Sequence, residues 1–161
     1  MTPTETKILQ LDEAITKVAD WQRAGQKVVF TNGCFDIVHL GHIDYLEKAR
    51  ALGDRLVLGL NTDASVNRLK GPSRPVVDEY ARARLMAALV FVDTVILFNE
   101  PTPKALIEAL KPDILVKGDD YSVENIVGAD FVTNNGGSVE TVPLVKGYST
   151  TSMIEKIKKS Y

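Results

Sequence analysis

The chain is short of most of the features that announce a function. It has one cysteine, Cys34, so no internal disulfide can form. A lone thiol fits a reducing compartment, and a cytoplasmic setting is expected. It has two histidines and one tryptophan among 161 residues. Formal net charge is only −2, without the basic excess that broad nucleic-acid or membrane-surface binding needs. No apolar run approaches the ~20 residues of a membrane span. The N-terminus lacks the apolar core of a signal peptide. There is no repeat, no low-complexity tract, no GxSxG, no HExxH and no Cys-rich metal pattern. What remains is a 45% hydrophobic chain of single-domain length.

Strand-like and helix-like segments alternate. Residues 1–10 are polar and expected to be loosely held. Leu11, Ile15, Val18 and Trp21 repeat at helical spacing over residues 11–25 and stop at Gly25. Strands are expected at 28–31, 55–60, 94–98, 114–117 and 138–142. Helices are expected at 43–51, 63–69, 78–89, 103–110 and 150–159, with 125–134 partly helical. Several strands are uninterrupted apolar runs, the mark of a parallel sheet covered on both faces. The class is therefore α/β, a Rossmann-like doubly wound sheet in a single domain, with residues 26–159 as its main body after the N-terminal helix.

One junction stands out. Val28-Val29-Phe30 leads into Thr31-Asn32-Gly33-Cys34-Phe35-Asp36-Ile37-Val38-His39-Leu40-Gly41-His42, and a helix follows. Both histidines of the chain sit where a strand hands over to a helix. A helix N-terminus presents unpaired N–H groups and a positive dipole end, which suits anions. Gly33 permits a tight turn, and Gly41 lets a base or phosphate approach the backbone.

His39-Leu40-Gly41-His42 resembles the HxGH signature of the nucleotidyltransferase superfamily, and residues 33–42 resemble its cytidylyltransferase-like branch. Four further stretches extend the likeness: Asn61–Ser65, Leu69–Val76, Val116–Tyr121 and Ser149–Thr151. In order and spacing, the series resembles the adenylyltransferase domain of bacterial heptose-phosphate enzymes over residues 26–159. That resemblance implies strand order 3-2-1-4-5, with a crevice between strands one and four where the histidine loop and Lys117–Tyr121 converge. It implies transfer of AMP from ATP to D-glycero-β-D-manno-heptose 1-phosphate. Such enzymes are often fused to a sugar kinase, which this chain is too short to include.

By the same resemblance, His39 and His42 contact the α- and β-phosphates, with Lys70 as the third catalytic group, placed in a Gly/Pro-rich loop. The nucleotide is expected against Thr31, Asn32, Gly33, Cys34, Phe35, Gly41, Arg74, Lys117, Gly118, Ser149, Thr150 and Thr151. Cys34 is read as a small apolar residue without chemistry, and Arg74 as either a phosphate contact or a brace for its turn. Asp36, Asn61, Asp63, Asp119 and Asp120 are assigned to the acceptor. Loop ordering explains Asp36 as well, and helix capping explains Asn61 and Asp63 as well. Ser149 and Thr150 are expected at the β- and γ-phosphates, although Ser152-Met153-Ile154-Glu155 itself matches a capping box.

No protein metal site is expected; Mg²⁺ is expected to arrive with the nucleotide. The expected partners are ATP and a sugar phosphate, with no nucleic acid and no membrane, in a homo-oligomer. Two readings compete. A cytidylyltransferase acting on glycerol 3-phosphate shares Gly118-Asp119-Asp120, but this chain has Val90-Phe91-Val92-Asp93 where that branch carries an arginine, and Val145–Ser149 lacks another. A nucleotide-binding sensor without turnover would keep the same binding groups.

Overall fold

A computed structural model describes all residues from Met1 to Tyr161. Helix α1 (Leu11–Arg23) opens with a reciprocal cap, in which the Gln10 side chain and Glu13 each receive a backbone N–H. Then follow β1 (Val28–Gly33), α2 (Leu40–Arg50), β2 (Arg55–Asn61), α3 (Asp63–Lys70), α4 (Glu79–Ala88), β3 (Thr94–Phe98), α5 (Lys104–Leu110), β4 (Ile114–Gly118), α6 (Ala129–Asn134), β5 (Ser138–Val142) and α7 (Thr150–Ser160). The five strands form one parallel sheet in the order β3-β2-β1-β4-β5. The fold class and strand order expected from the sequence are those observed.

The apolar strands are buried on both faces because side chains alternate across a sheet. Leu56, Leu58 and Leu60 of β2 pack with Leu46 and Ala49 of α2 and Met86 of α4. Phe30, Val57, Ile96 and Leu115 pack on the opposite face with Val18 of α1, Leu106 and Ile107 of α5, and Val132 of α6. Fully burying one such aliphatic side chain contributes roughly 1.5–3 kcal/mol, so these two layers hold the sheet.

Part of the stretch 1–10 packs on the sheet edge. Ile8 bridges Val95 in parallel, and the Leu9 N–H donates to the Val95 carbonyl at 3.0 Å. Lys7 Nζ donates to the carbonyls of Val92 (2.7 Å) and Leu89 (3.2 Å). Two apolar residues in a polar stretch are enough to cover part of the β3 edge.

Two ladders run deep towards the carboxyl edge: β1–β2 reaches Gly33 opposite Leu60, and β4–β5 reaches Gly118 opposite Val142. The β1–β4 ladder pairs only Val29 with Ile114 and Phe30 with Leu115. Beyond that point β1 and β4 part, and a crevice opens where the strand order reverses.

Candidate active site

The crevice is a cleft of about 720 Å³. Its centre is the loop from β1 to α2. Phe35 takes a left-handed backbone conformation (φ 45°). This turns its ring over Gly33, where a Cβ would lie 2.7 Å from the ring. Helix α2 starts at Leu40 rather than at residue 43. His39 is its N-cap, and the His42 N–H donates to the His39 carbonyl at 3.0 Å. One helical turn therefore stacks the two imidazoles, with centroids 3.8 Å apart and planes 23° apart. Phe35 closes on His42 edge-on at 5.0 Å. Gly41 lies beneath: a Cβ there would come within 2.9 Å of the His39 ring and 3.3 Å of Tyr148 Cβ.

Burial, then the adjacent His39, pushes the His42 imidazole down to about 4, with Asp36 opposing. Burial lowers His39 as well. The pair is thus neutral near pH 7. Both Nδ1 atoms are buried without a hydrogen-bond partner. Neutral imidazoles beside a helix N-terminus are hydrogen-bond donors awaiting an acceptor, and phosphate oxygens are such acceptors.

Three loops complete the cleft. Lys70 is the last residue of α3 and not a loop residue; it is exposed, on the cleft wall. Arg74 lines the cleft too, with its Nε 2.7 Å from Asp36 Oδ2. Lys117, at the end of β4, donates to the Asn32 carbonyl at 3.3 Å and lies 5.7 Å over the Tyr121 ring. Burial lowers its ammonium to about 8, against the opposing charge of Asp120. Ser149 caps α7 and accepts the Ser152 N–H at 3.1 Å. The capping box expected at Ser152 does not form, because Ser152 Oγ turns back to the Ser149 carbonyl. Thr150 and Thr151 line the cleft beside Ser149.

Several expected ligand contacts are otherwise engaged. Thr31 is fully buried, its hydroxyl 2.6 Å from the Tyr45 hydroxyl, which in turn donates to the Val116 carbonyl. It supports the loop from below and does not line the cleft. Asp36 is buried, and its carboxylate accepts from Arg74 Nε and from the Val76 and Val77 N–H groups at 2.9 Å. Burial alone would raise its pKa; the Val77, Val76 and Arg74 hydrogen bonds hold it below the ordinary carboxylate value. It orders the loop 74–77. Asn61 lines the cleft, yet donates to Ser65 Oγ and accepts from the Cys34 thiol. Burial pushes that thiol's pKa up, as suits a residue without nucleophilic chemistry. Asp63 lies outside the cleft, paired with Arg82 at 2.8 Å. Asp119 turns towards β5 and accepts from the Leu144 N–H, while Asp120 lines the cleft.

Arg82, which belongs to no motif in the sequence, has no exposed surface. Its guanidinium donates to the carbonyls of Val77, Cys34 and Asn61 and to Asp63 Oδ1. It therefore ties the β1 loop, the end of β2 and the loop 74–77 into one unit. Tyr45, Phe98, Pro101–Pro103, Asn125–Val127 and Tyr148 also line the cleft and had no signal of their own.

No three His, Cys, Asp or Glu side chains gather as a metal cage. Asp36, Asp63 and Asp119 already have protein donors. The donor set of imidazole, ammonium, guanidinium and backbone N–H suits a polyphosphate, and a divalent ion carried on its oxygens.

Residues 30–156 match the family model described as cytidylyltransferase-like. The chain is 55% identical over 158 residues to "Bifunctional protein HldE" of Citrifermentans bemidjiense, covering 98% of this chain and 32% of that protein. It is 57% identical over 151 residues to the protein of the same name from Magnetococcus marinus, covering 94% and 31%. It thus spans about a third of the length of these curated relatives. Among solved structures, the lipopolysaccharide core biosynthesis protein of Thermoplasma volcanium superposes with a TM-score of 0.61 at 35% identity, over 78% of this chain and 100% of the other. A pantoate-beta-alanine ligase of Francisella tularensis also scores 0.61, over 94% and 76%; at 14% identity it shows the fold alone. With the family model matching residues 30–156, most of the fold, the chain belongs to the cytidylyltransferase-like family.

Proposed function

We propose that the chain is an adenylyltransferase that joins AMP from ATP to D-glycero-β-D-manno-heptose 1-phosphate, giving ADP-heptose and pyrophosphate. The stacked His39–His42 pair carries the reading, since it places two unpartnered imidazoles at a helix N-terminus in the same cleft as Lys70, Arg74 and Ser149. Family membership, the relatives named HldE and the lipopolysaccharide core biosynthesis protein support it.

The acceptor phosphate is already an ionised nucleophile. One of its oxygens attacks the α-phosphorus of ATP, the new P–O bond forms, and the bond to the β-phosphate bridging oxygen breaks as pyrophosphate leaves. No protein nucleophile is needed, so alignment and charge stabilisation do the catalysis. The imidazoles donate to the oxygens that gain charge, Lys70 and Arg74 hold phosphate from the opposite wall, and the N-terminus of α7 receives the leaving pyrophosphate. Mg²⁺ would be brought in by the triphosphate, since no protein carboxylate cage is there to hold it, and would offset part of the triphosphate's charge. The same reading takes the chain to be a homo-oligomer in the cytoplasm.

The Gly118-Asp119-Asp120 stretch favours a second reading, a cytidylyltransferase for a small phosphate. Pyrophosphate release measured with ATP and with CTP, each with heptose 1-phosphate and with glycerol 3-phosphate, separates the two. The proposal expects release to be fastest with ATP and the heptose.

A further inference from the structure

The cleft is lined from both faces of the sheet, and its two sides differ. Leu115 packs against α5 and α6, so two residues on, Lys117 points to that same face. Phe98 belongs to the same cluster. Asn32 follows Phe30 by two and also lies on this face: a Cβ added to Gly59 would meet Asn32 Cβ at 3.2 Å and Leu106 Cδ2 at 3.1 Å. The imidazole pair, by contrast, rides on α2, which covers the other face. Two loops wall the cleft on the α5–α6 face, bringing Thr102 and Pro103 from one side and Asn125 from the other.

Its floor carries an amide with no protein partner. Asn32 Oδ1 is buried and unpaired. Neighbouring amides are engaged, since Asn61 bonds Ser65 and Asn125 bonds Ser122. Asn32 pairs with Gly59 of β2 but lies beyond the last β1–β4 pair, where the sheet opens into the cleft. A buried polar atom without a partner is costly unless something else provides one. The amide's terminal torsion is soft, so a small rotation presents both a donor and an acceptor to the cleft. The adjoining cation is Lys117, bound to the Asn32 carbonyl, with the Asp120 carboxylate on the same cleft wall close enough to act on its charge. A donor–acceptor amide beside one ammonium group and one carboxylate offers partners for both the hydroxyls and the phosphate of a phosphorylated ring, the amide and carboxylate for hydroxyls and the ammonium for phosphate.

We infer that this part of the cleft seats the sugar of the acceptor, with Asn32 reading ring hydroxyls and Lys117 facing the phosphate. Asn32 is then a specificity-determining residue for the acceptor, and not a nucleotide contact as its motif suggested. The inference rests on the transfer reading above and deepens it. It separates the two substrates by sheet face: nucleotide phosphates on the α2 side, sugar on the α5–α6 side. Rejection of acceptors lacking a hydroxyl follows, because such a ligand leaves the Asn32 amide unpaired.

The test is binding, read by calorimetry without turnover. D-glycero-β-D-manno-heptose 1-phosphate, glycerol 3-phosphate and a non-hydrolysable ATP analogue are titrated separately into the wild type and Asn32→Ala. The variant is expected to weaken the heptose phosphate at least tenfold and the ATP analogue less than twofold. Single-deoxy heptose phosphates should include one that binds poorly to the wild type and no worse than its parent to the variant. Should Asn32→Ala fail to fold, the isosteric Asn32→Asp is read instead, with the same split expected, since it loses the donor. Equal heptose phosphate binding by wild type and variant, a loss falling on the ATP analogue, or no sugar phosphate binding by the wild type would each overturn the inference. A chain that binds the sugar through Asn32 yet releases no pyrophosphate upholds it and overturns the transfer reading instead.

Discussion

His42 lies stacked on His39 at 3.8 Å, one helical turn along α2, and each ring keeps a buried Nδ1 without a partner. Burial disfavours a positive charge on either ring, the contact adds to this at His42, and a pH dependence follows. His42 is lowered from 6.5 to about 4 in the folded protein, mainly by burial. Between those values the unfolded chain binds a proton that the folded chain does not. Stability therefore falls as pH drops through that window. Urea midpoints at pH 7 and pH 5 should show the loss in the wild type and a smaller one in His42→Gln. Equal pH slopes in the two proteins would contradict a neutral, buried His42.

Asp36 and Arg82 fasten the same loops by opposite charges. Asp36→Ala leaves the Val76 and Val77 N–H groups and Arg74 without their acceptor. Arg82→Lys replaces a planar fork that reaches four oxygens with a single ammonium. Each should cost about 2–5 kcal/mol of unfolding free energy, the scale for breaking a buried charged network. Because Asp36 is held low, its contribution is present above the ordinary carboxylate range and is lost as pH falls through its folded value. Denaturant curves near neutral pH and in acid measure both effects.

Much of this was legible in the sequence. The apolar run in Thr94–Phe98 gave β3 its observed limits, the limits read for β5 at Ser138–Val142 also hold, and alternation with helices gave the parallel sheet. The histidine loop and the loop after β4 do meet at the crevice. Arg82 was illegible, because an arginine in a polar, Ala-rich helix looks like a solvated one; only the tertiary fold aims it inward. Thr31 looked like a nucleotide contact because the partner that buries it, Tyr45, lies fourteen positions away. Asp36 and Asp63 looked like ligand groups because a carboxylate's pairing with a distant arginine leaves no local pattern.

Lys70 differs from these in being exposed at the end of α3, with no hydrogen bond to hold it. Lys70→Ala should leave the unfolding free energy within about 0.5 kcal/mol. Turnover should fall more than nucleotide affinity, provided the ammonium engages only the reacting complex. Steady-state kinetics with calorimetric ATP binding shows the split; equal losses in both would assign Lys70 to ground-state binding.

Metal dependence should be carried by the nucleotide. With no carboxylate cage in the cleft, the protein alone should show no tight Mg²⁺ binding by calorimetry, and excess ethylenediaminetetraacetate should stop turnover. Full activity in the chelator would contradict the requirement.

The central claim is that the imidazole pair stabilises transfer of AMP to a sugar phosphate. Product formation from ATP and D-glycero-β-D-manno-heptose 1-phosphate, followed by mass spectrometry for wild type, His39→Ala and His42→Ala, tests it most directly. The account predicts ADP-heptose and pyrophosphate in equal amounts from the wild type, with turnover lower by roughly a hundredfold or more in each folded variant. No ADP-heptose from the wild type, or near-normal turnover in a folded double variant, would contradict it.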